Sequence, residues 1–545
     1  MPIFLFFVIS SIGLFLTMKS NVKPRSNKLA LVLINIICFT YVFIDYQENK
    51  LSFSRVSSEE EMRMIWYNYH KTDFSTDPQI VRSLTSNIDK PNQVISDDEY
   101  IYSISDKQIF VTSIKDLKVV KEIKYKDTKP LYLYVTDKQL IIIGENNNST
   151  YGYILDKKNF NELKQFSIEA TYVTSQLIDN NLYLITSKVI NKDFTETRPS
   201  YIENETVKYL PYNDIYYIKD TYPNNLINIM KIDVNAQENI KMISYLGLGQ
   251  VIYISENNIY AAEEKHDPNN GNSNKSLIIK INHDLKIVGL QEIDGYILGK
   301  SSLNEYNGNL RVVTTTHDNK GDNSHLYILN KNMKISSELK SFSKGNEVQA
   351  ALFVKDKAYI ETFNINDPFY VFDLSNDKKP RIISETKLES YHTNFIPFDE
   401  HKIIAWGIVL DEKKETIGIK MTLIDVTNPK EVRILSEEKF LYEEYNSVYT
   451  DLLYDCKPLL IDKEKRIIGF PIIYWPNKSV TPAKYKQEYV VYKINDKLSK
   501  LGLVSHNDDI MKGIINNNSL YTVSSKMIKE SNLNNLKQIK EVYLK

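Results

Sequence analysis

Cysteine is nearly absent from the 545-residue chain, which holds only Cys38 and Cys456. A disulfide framework and a cysteine-rich zinc module are thereby excluded. Glycine is scarce at 17 residues, and neither a G-x-x-x-x-G-K phosphate loop nor a G-x-G-x-x-G dinucleotide fingerprint occurs. There is no excess of either charge: 68 Lys+Arg stand against 69 Asp+Glu, a net of −1, so the chain offers no basic surplus for nucleic acid. The 8 histidines are dispersed, without the clustering that a metal site needs. No G-x-S-x-G elbow presents a nucleophilic serine. What the chain does have is aromatic weight, with 38 Tyr and 21 Phe. Such residues favour strands, because they suit a pleated, half-buried surface.

Long apolar runs are confined to the amino end. Pro2–Met18 is uncharged over 17 residues and Leu29–Ile44 over 16. As helices they would reach about 24–26 Å, slightly short of a ~30 Å hydrocarbon core. No cationic segment precedes the first run and no small-residue cleavage site follows it, which argues against a cleaved signal peptide. The expectation is a transmembrane helical hairpin over 1–45, with spans at 2–18 and 29–45. Lys19, Lys23, Arg25 and Lys28 stand in the 19–28 connector without an acid, which places that loop in the cytoplasm and the rest of the chain outside it. The first partner implied is therefore the lipid bilayer of the cytoplasmic membrane. The charge divides accordingly: 1–45 carries four cations and one acid, +3, and the remainder 64 cations and 68 acids, −4. Cys38 falls in the second span, so Cys456 is expected to be a lone buried thiol rather than its disulfide partner.

A polar stalk is expected over 46–96. Within it Ser58 and Glu61 have the capping-box spacing, and Met62, Ile65, Trp66 and Tyr69 follow at helical intervals, predicting a short helix near 58–70. That helix reads either as a partner-docking element or as a spacer packed on the large domain.

From about residue 97 to the end the chain repeats a unit in which a polar turn precedes a short β-rich run. Examples are DKQLIIIGE at Asp137, DNNLYLITS at Asp179, NGNLRVVTT at Asn307 and NNSLYTVSS at Asn517. A second run ends in another polar turn and a third strand, as in YVFDLSNDKKPRIIS at Tyr370 and MTLIDVTNPKEVRIL at Met421. Units start at 97, 137, 179, 256, 307, 355, 399, 463 and 517, at intervals of 40 to 77. Propeller blades run roughly 40–50 residues, whereas a sandwich array need not repeat one hairpin at that period. The reading is an all-β fold, a β-propeller of about eight blades (seven to nine) over 97–545. Of the nine candidate units, one is expected to be absorbed into an insertion or shared in closing the ring. Two long intervals locate insertions near 187–225 and 438–461. Loops of this kind, carried on a rigid scaffold, are where binding tends to reside.

At these insertions the sequence resembles a bacterial and archaeal family of secreted or membrane-anchored proteins with a carboxy-terminal β-propeller domain. The stretches that carry the resemblance include RPSY at Arg198, LPYNDIYYI at Leu210, GYILGKSSLNEYNGNLRVVTTT from Gly295 and DPFYVFDLSNDKKPRII from Asp367. VTNPKEVRIL from Val426 and LLYDCKPLLIDKEKRIIGFPI from Leu452 complete the set. The resemblance implies a propeller tethered at its amino end outside the cytoplasmic membrane, and it implies no activity. Cys456 stands where the resemblance leads to histidine, so a ligand role for that histidine does not carry over.

No catalytic, cofactor or metal residue is assigned from the sequence. Tryptophan is limited to Trp66, Trp406 and Trp475, too few for a quinone-dependent propeller dehydrogenase that would repeat it in every blade. The polar residues singled out are Arg198, Tyr201 and Asp214 in the first insertion and Asp451, Asp455 and Lys457 in the second. They read as contacts of a polar face, or as ion pairs pinning the insertions to the rim. The expected function is a binding or scaffold module for an extracytoplasmic protein or wall-associated partner. The alternative is a hydrolase-like enzyme with a carboxylate site on the propeller face.

Overall fold

The computed structural model describes residues 53–70, 82–85, 92–190, 198–218, 225–247, 249, 251–265, 274–297, 301–318, 321–363, 368–388, 391–442, 445–476 and 486–544. The expected spans at 2–18 and 29–45, the four connector cations and Cys38 lie outside these residues. Among the described residues no helix is long and apolar enough to cross a membrane. The chain divides between Ser54 and Arg55, and the architecture below is that of the second unit.

Nine antiparallel meanders follow one another along that unit. Blade 1 covers 94–124, blade 2 129–168, blade 3 171–246, blade 4 251–294 and blade 5 303–344. Blades 6 to 9 cover 348–386, 392–441, 445–505 and 510–543. The protein is a nine-bladed propeller, at the top of the expected range. Each of the nine repeat starts falls in the turn between the first and second strands of a blade. The expectation that one unit would be absorbed elsewhere is corrected: every unit carries its own hydrogen-bonded strands. The ring closes by packing rather than by sharing a strand, with Val94, Ile101 and Phe110 of blade 1 against Ile514, Tyr521 and Val523 of blade 9.

Turn chemistry explains why so little glycine suffices. Asp179, Asn307 and Asn517 occupy the first-to-second-strand turns with φ of 52°, 50° and 52°. Asp and Asn tolerate this left-handed region better than other side-chain-bearing residues. The third-to-fourth-strand turns share another device. Asp156, Asp233, Asn282, Asn330, Asp373, Asp425 and Asn532 each accept, on a side-chain oxygen, the N–H two residues ahead at 2.9–3.1 Å. The side chain thereby mimics a backbone turn.

Middle strands such as Gln139–Asn146 are buried along almost their whole length, because both faces pack on neighbouring blades. Outermost strands such as Lys118–Lys124 are largely exposed. The apolar core is accordingly distributed between blades. Trp406 and Phe440 of blade 7 pack with Phe470 and Tyr492 of blade 8, and Tyr260 of blade 4 shares one buried cluster with Tyr327 of blade 5.

Buried polar groups pin the seam of blades 6 and 7 and the entry to blade 9. His392 Nδ1 lies 2.8 Å from Glu361 of blade 6, and its Nε2 lies 3.1 Å from Thr422 Oγ1. Ahead of blade 9, His506 Nε2 lies 2.7 Å from Thr522 Oγ1, while its buried Nδ1 has no hydrogen-bond partner. Burial, reinforced by Lys529, pushes His506 down from 6.5 to about 4. The folded chain therefore binds fewer protons here than the unfolded chain. The contribution is complete above pH 6.5 and is lost as pH falls towards 4, reaching about 3 kcal/mol. Chemical denaturation across this window should show wild type losing that much more stability than His506→Gln. Equal slopes for the two proteins would refute the assignment.

The stalk segment wraps onto the outer rim before entering the ring. A helix over Glu59–His70 begins at Ser58, whose Oγ accepts the Glu61 N–H at 3.2 Å. The Glu61 carboxylate reaches back to the Ser57 N–H at 2.7 Å. This exchange satisfies otherwise orphaned first-turn groups. Met62 and Trp66 on its inner face are buried with Leu210 and Ile215 of the first insertion.

Candidate functional site

The first strand of each blade faces the ring axis. First strands of blades 1, 2, 3, 8 and 9 together line a single cavity of about 520 Å³. A ring of nine blades leaves a wider axial channel than the usual four to eight, and the chain fills it with its own segments. Arg82–Thr85 adds a strand parallel to Val251–Ile254, the first strand of blade 4. Asn92 then bridges to Leu133 in the first strand of blade 2.

The second filler comes from blade 8, whose first strand is broken. Tyr445–Tyr449 pairs with the far end of the second strand and Leu460–Asp462 with its near end. Between them 450–459 leaves the sheet, making a 3₁₀ turn at Asp451–Leu453. Apolar anchors seat it: Leu452, Leu453 and Leu459 are buried with Trp406 and Phe470. Backbone groups are satisfied by neighbours. Thr393 Oγ1 donates to Leu453 O at 2.8 Å, and Asn394 Nδ2 donates to Leu452 O at 2.9 Å, both from blade 7. On the opposite side Asn92 Nδ2 donates to Lys457 O at 2.9 Å. The insertion is a plug that ties blades 7 and 8 to blade 2.

Three of the six polar residues singled out in the sequence meet on this plug. Asp451 accepts a hydrogen bond from Tyr449 OH at 2.7 Å. Burial, then that carboxylate, push Tyr449 up to about 12, so it remains a neutral donor. Lys457 Nζ lies 3.7 Å from Asp455 and 4.5 Å from the centroid of the Tyr132 ring of blade 2. Together with Tyr454, Trp475 and Asp509 these residues line a second cavity, of about 800 Å³. Tyr454 is 62% exposed and Trp475 50% exposed, so the cleft opens to solvent through aromatic faces. The Cys456 thiol is only partly buried in the channel wall, 3.5 Å from Asn394 Nδ2.

The other three lie on the outer rim and line neither cavity. The hairpin 200–209 extends blade 2 beyond its fourth strand, and Ile215–Ile218 joins Lys241–Leu246 of blade 3 in parallel. Arg198 closes this insertion on itself: Nε donates to Leu210 O at 2.6 Å, and the guanidinium lies 5.2 Å from the Tyr212 ring centroid. Tyr201 is buried, donates to Ile240 O at 3.0 Å and is pushed up by burial. Asp214 ends a 3₁₀ turn, partly exposed. The two insertions therefore form separate places, one structural at the rim and one lining a cleft at the axis.

The aromatic lining is the part that sequence reasoning missed. Trp475 was informative only as one of three tryptophans, and Tyr132 lies 325 positions from the lysine it stacks against. Among the described residues no group of three or more His, Cys, Asp or Glu is placed to hold a metal ion.

An uncharacterised protein of Methanocaldococcus jannaschii is 29% identical over 269 residues, covering 49% of this chain and 40% of that protein. An uncharacterised protein of Archaeoglobus fulgidus is 30% identical over 200 residues, covering 36% of this chain and 30% of that protein. The matched region thus spans less than half the length of these curated relatives. Among solved structures, BamB of Moraxella catarrhalis aligns at a TM-score of 0.37 and 10% identity, over 74% of this chain and 97% of that one. AztD of Citrobacter koseri aligns at 0.35 and 8%, over 81% and 93%. These scores are too low to carry function across. The family model described as "Beta propeller domain" matches residues 84–536, and with nine repeated blades in the structure the chain belongs to the β-propeller domain family.

Proposed function

We propose that the chain is a binding module, held at the outer face of the cytoplasmic membrane, which takes a partner into the cleft beside its axial plug. The observation that carries this reading is the broken first strand of blade 8. Interrupting an otherwise regular ladder costs inter-strand hydrogen bonds, and here the interruption builds an open cavity of about 800 Å³ walled by Tyr454, Trp475, Asp451 and Asp455. Concave sites with aromatic walls and a few placed polar groups are the usual form of a ligand pocket. Tethering rests on the uncharged runs 2–18 and 29–45 and on the cations between them. An extracytoplasmic protein or wall component is the partner class that fits this placement.

Full-length chain crosslinked in intact cells of its source organism should capture a partner that the double variant Trp475→Ala/Tyr454→Ala loses, by about tenfold or more. An amine reagent that cannot cross membranes should label the blades in the same cells. Undiminished capture by the double variant would remove the cleft from the function. Labelling only after lysis would remove the outer placement.

A further inference from the structure

We infer that the outer face of the rim hairpin 200–209 rests on the lipid bilayer at headgroup depth; the inference rests on the tethered placement proposed above and adds a second membrane contact to it. Directly opposed residues of an antiparallel pair share a face, and successive residues alternate between faces. Tyr201 is opposed to Lys208, Ile202 to Val207 and Ser200 to Tyr209. One face therefore carries Tyr201, Glu203 and Lys208, and the other Ile202, Val207 and Tyr209.

The usual half-buried sheet turns apolar side chains inward and polar ones outward. This hairpin is inverted. Its inner face holds the ion cluster of Glu203 with Lys164 and Lys208, the Glu203 side chain being only 5% exposed. Its outer face leaves Ile202, Val207 and Tyr209 exposed by 41%, 51% and 60%. Single exposed apolar residues need no explanation, but three on one small face, opposite buried charges, mark an interaction surface.

The tether identifies what covers it. The second uncharged run ends at Ile44, twelve residues before Val56. Val56 donates its N–H to Ile215 O at 2.9 Å, and Leu210, next to Tyr209, likewise donates to Pro199 O at 2.9 Å. Twelve extended residues reach at most about 40 Å, so a short leash joins the bilayer to the rim that carries the hairpin. Tyrosine suits a membrane–water interface, where amphipathic rings concentrate. The Arg198 guanidinium, 5.5 Å from the Tyr209 ring centroid, brings a cation to the same place, as lipid phosphates favour. Among the described residues Thr206–Tyr209 is the outermost strand of its sheet. Its open backbone edge needs water, which limits the contact to the hydrated headgroup layer.

Depth-dependent quenching tests the contact. The full chain, with Cys38→Ser and Cys456→Ser removing the native thiols, would be reconstituted into vesicles of phosphatidylethanolamine and phosphatidylglycerol. Bimane would be attached at Val207→Cys, at Tyr209→Cys, or at Glu385→Cys, an exposed position in the outermost strand of blade 6. Lipids with a nitroxide on the headgroup should quench both hairpin labels severalfold more strongly than the blade 6 label. Equal quenching at Val207 and Glu385, or none at either hairpin position, would overturn the inference. Disulfide linkage of two copies through Val207→Cys, without quenching, would also overturn it and give the face to a second copy of the chain. An alkaline carbonate wash separates this inference from the reading beneath it. Unquenched labels on chain that stays with the vesicles would remove the hairpin contact alone, whereas release of the chain would remove the tether and the contact together.

Discussion

Glu203→Ala is expected to lower the free energy of unfolding by about 3–5 kcal/mol, because it strands a buried ammonium. Glu203 stands on the rim hairpin with its side chain 5% exposed, 3.0 Å from Lys164 Nζ, itself 3% exposed. Lys208 also pairs with it, and the Ile240 N–H donates to it at 3.2 Å. Burial pushes the carboxyl up, but Lys208 and Lys164 outweigh that effect and hold it below its ordinary value of 4.5. Its contribution is therefore present above pH 4.5 and lost as pH falls through the depressed folded value. Removing the carboxylate leaves Lys164 with the Glu238 carbonyl, at 2.5 Å, as its remaining hydrogen-bond partner. Urea denaturation at neutral pH measures the loss. The double variant Glu203→Leu/Lys164→Met should regain part of it, since an apolar pair of similar volume replaces the desolvated ion pair while the Ile240 N–H loses its acceptor. A single-variant loss below about 1 kcal/mol, the range of exposed ion pairs, would contradict this account.

Leu452→Ala should cost about 2–5 kcal/mol, the range of buried leucine truncations. Leu452 is fully buried and sits with Trp406, Phe440 and Phe470 at the seam of blades 7 and 8. The substitution tests more than packing, because Leu452 is the anchor that seats the plug while its neighbour Asp451 faces the cleft. Loosening the anchor should shift the emission of Trp475 and weaken whatever the cleft binds. Asp451→Asn, at an exposed position, should leave stability within about 0.5 kcal/mol. Denaturation curves and emission spectra of the two variants separate the effects. A Leu452→Ala protein of nearly wild-type stability and unchanged emission would show that the plug is not seated by that side chain.

Much of the fold is legible in the chain because a propeller blade is local. Its four strands are consecutive, its hairpins are short, and each turn advertises itself by an Asp or Asn. The repeat starts at 97, 137, 179 and onward are the first hairpin turns of blades 1, 2, 3 and onward. The strand-ending Asp373 and Asp425, visible as FDLSND and IDVTNP, mark third-to-fourth-strand turns because the side chain closes the turn within two residues. The helix at Glu59–His70 is equally local, a capping serine and a reciprocal glutamate three residues apart.

The sites were legible only as insertions. Nothing in the spacing of Arg198, Tyr201 and Asp214 separates them from Asp451, Asp455 and Lys457, yet the structure sends the first group to the rim and the second to the axis. The sequence by itself determined the all-β class, the repeating blade and its turns, because these depend on contacts between residues a few positions apart. Tertiary structure alone decided that all nine units form blades, that the axis is plugged, and which polar groups share a cleft. Those outcomes rest on pairs such as Asn92 with Lys457, 365 positions apart. Such pairs meet only once the ring has closed, and no local pattern of residues encodes how many blades must pack before it does.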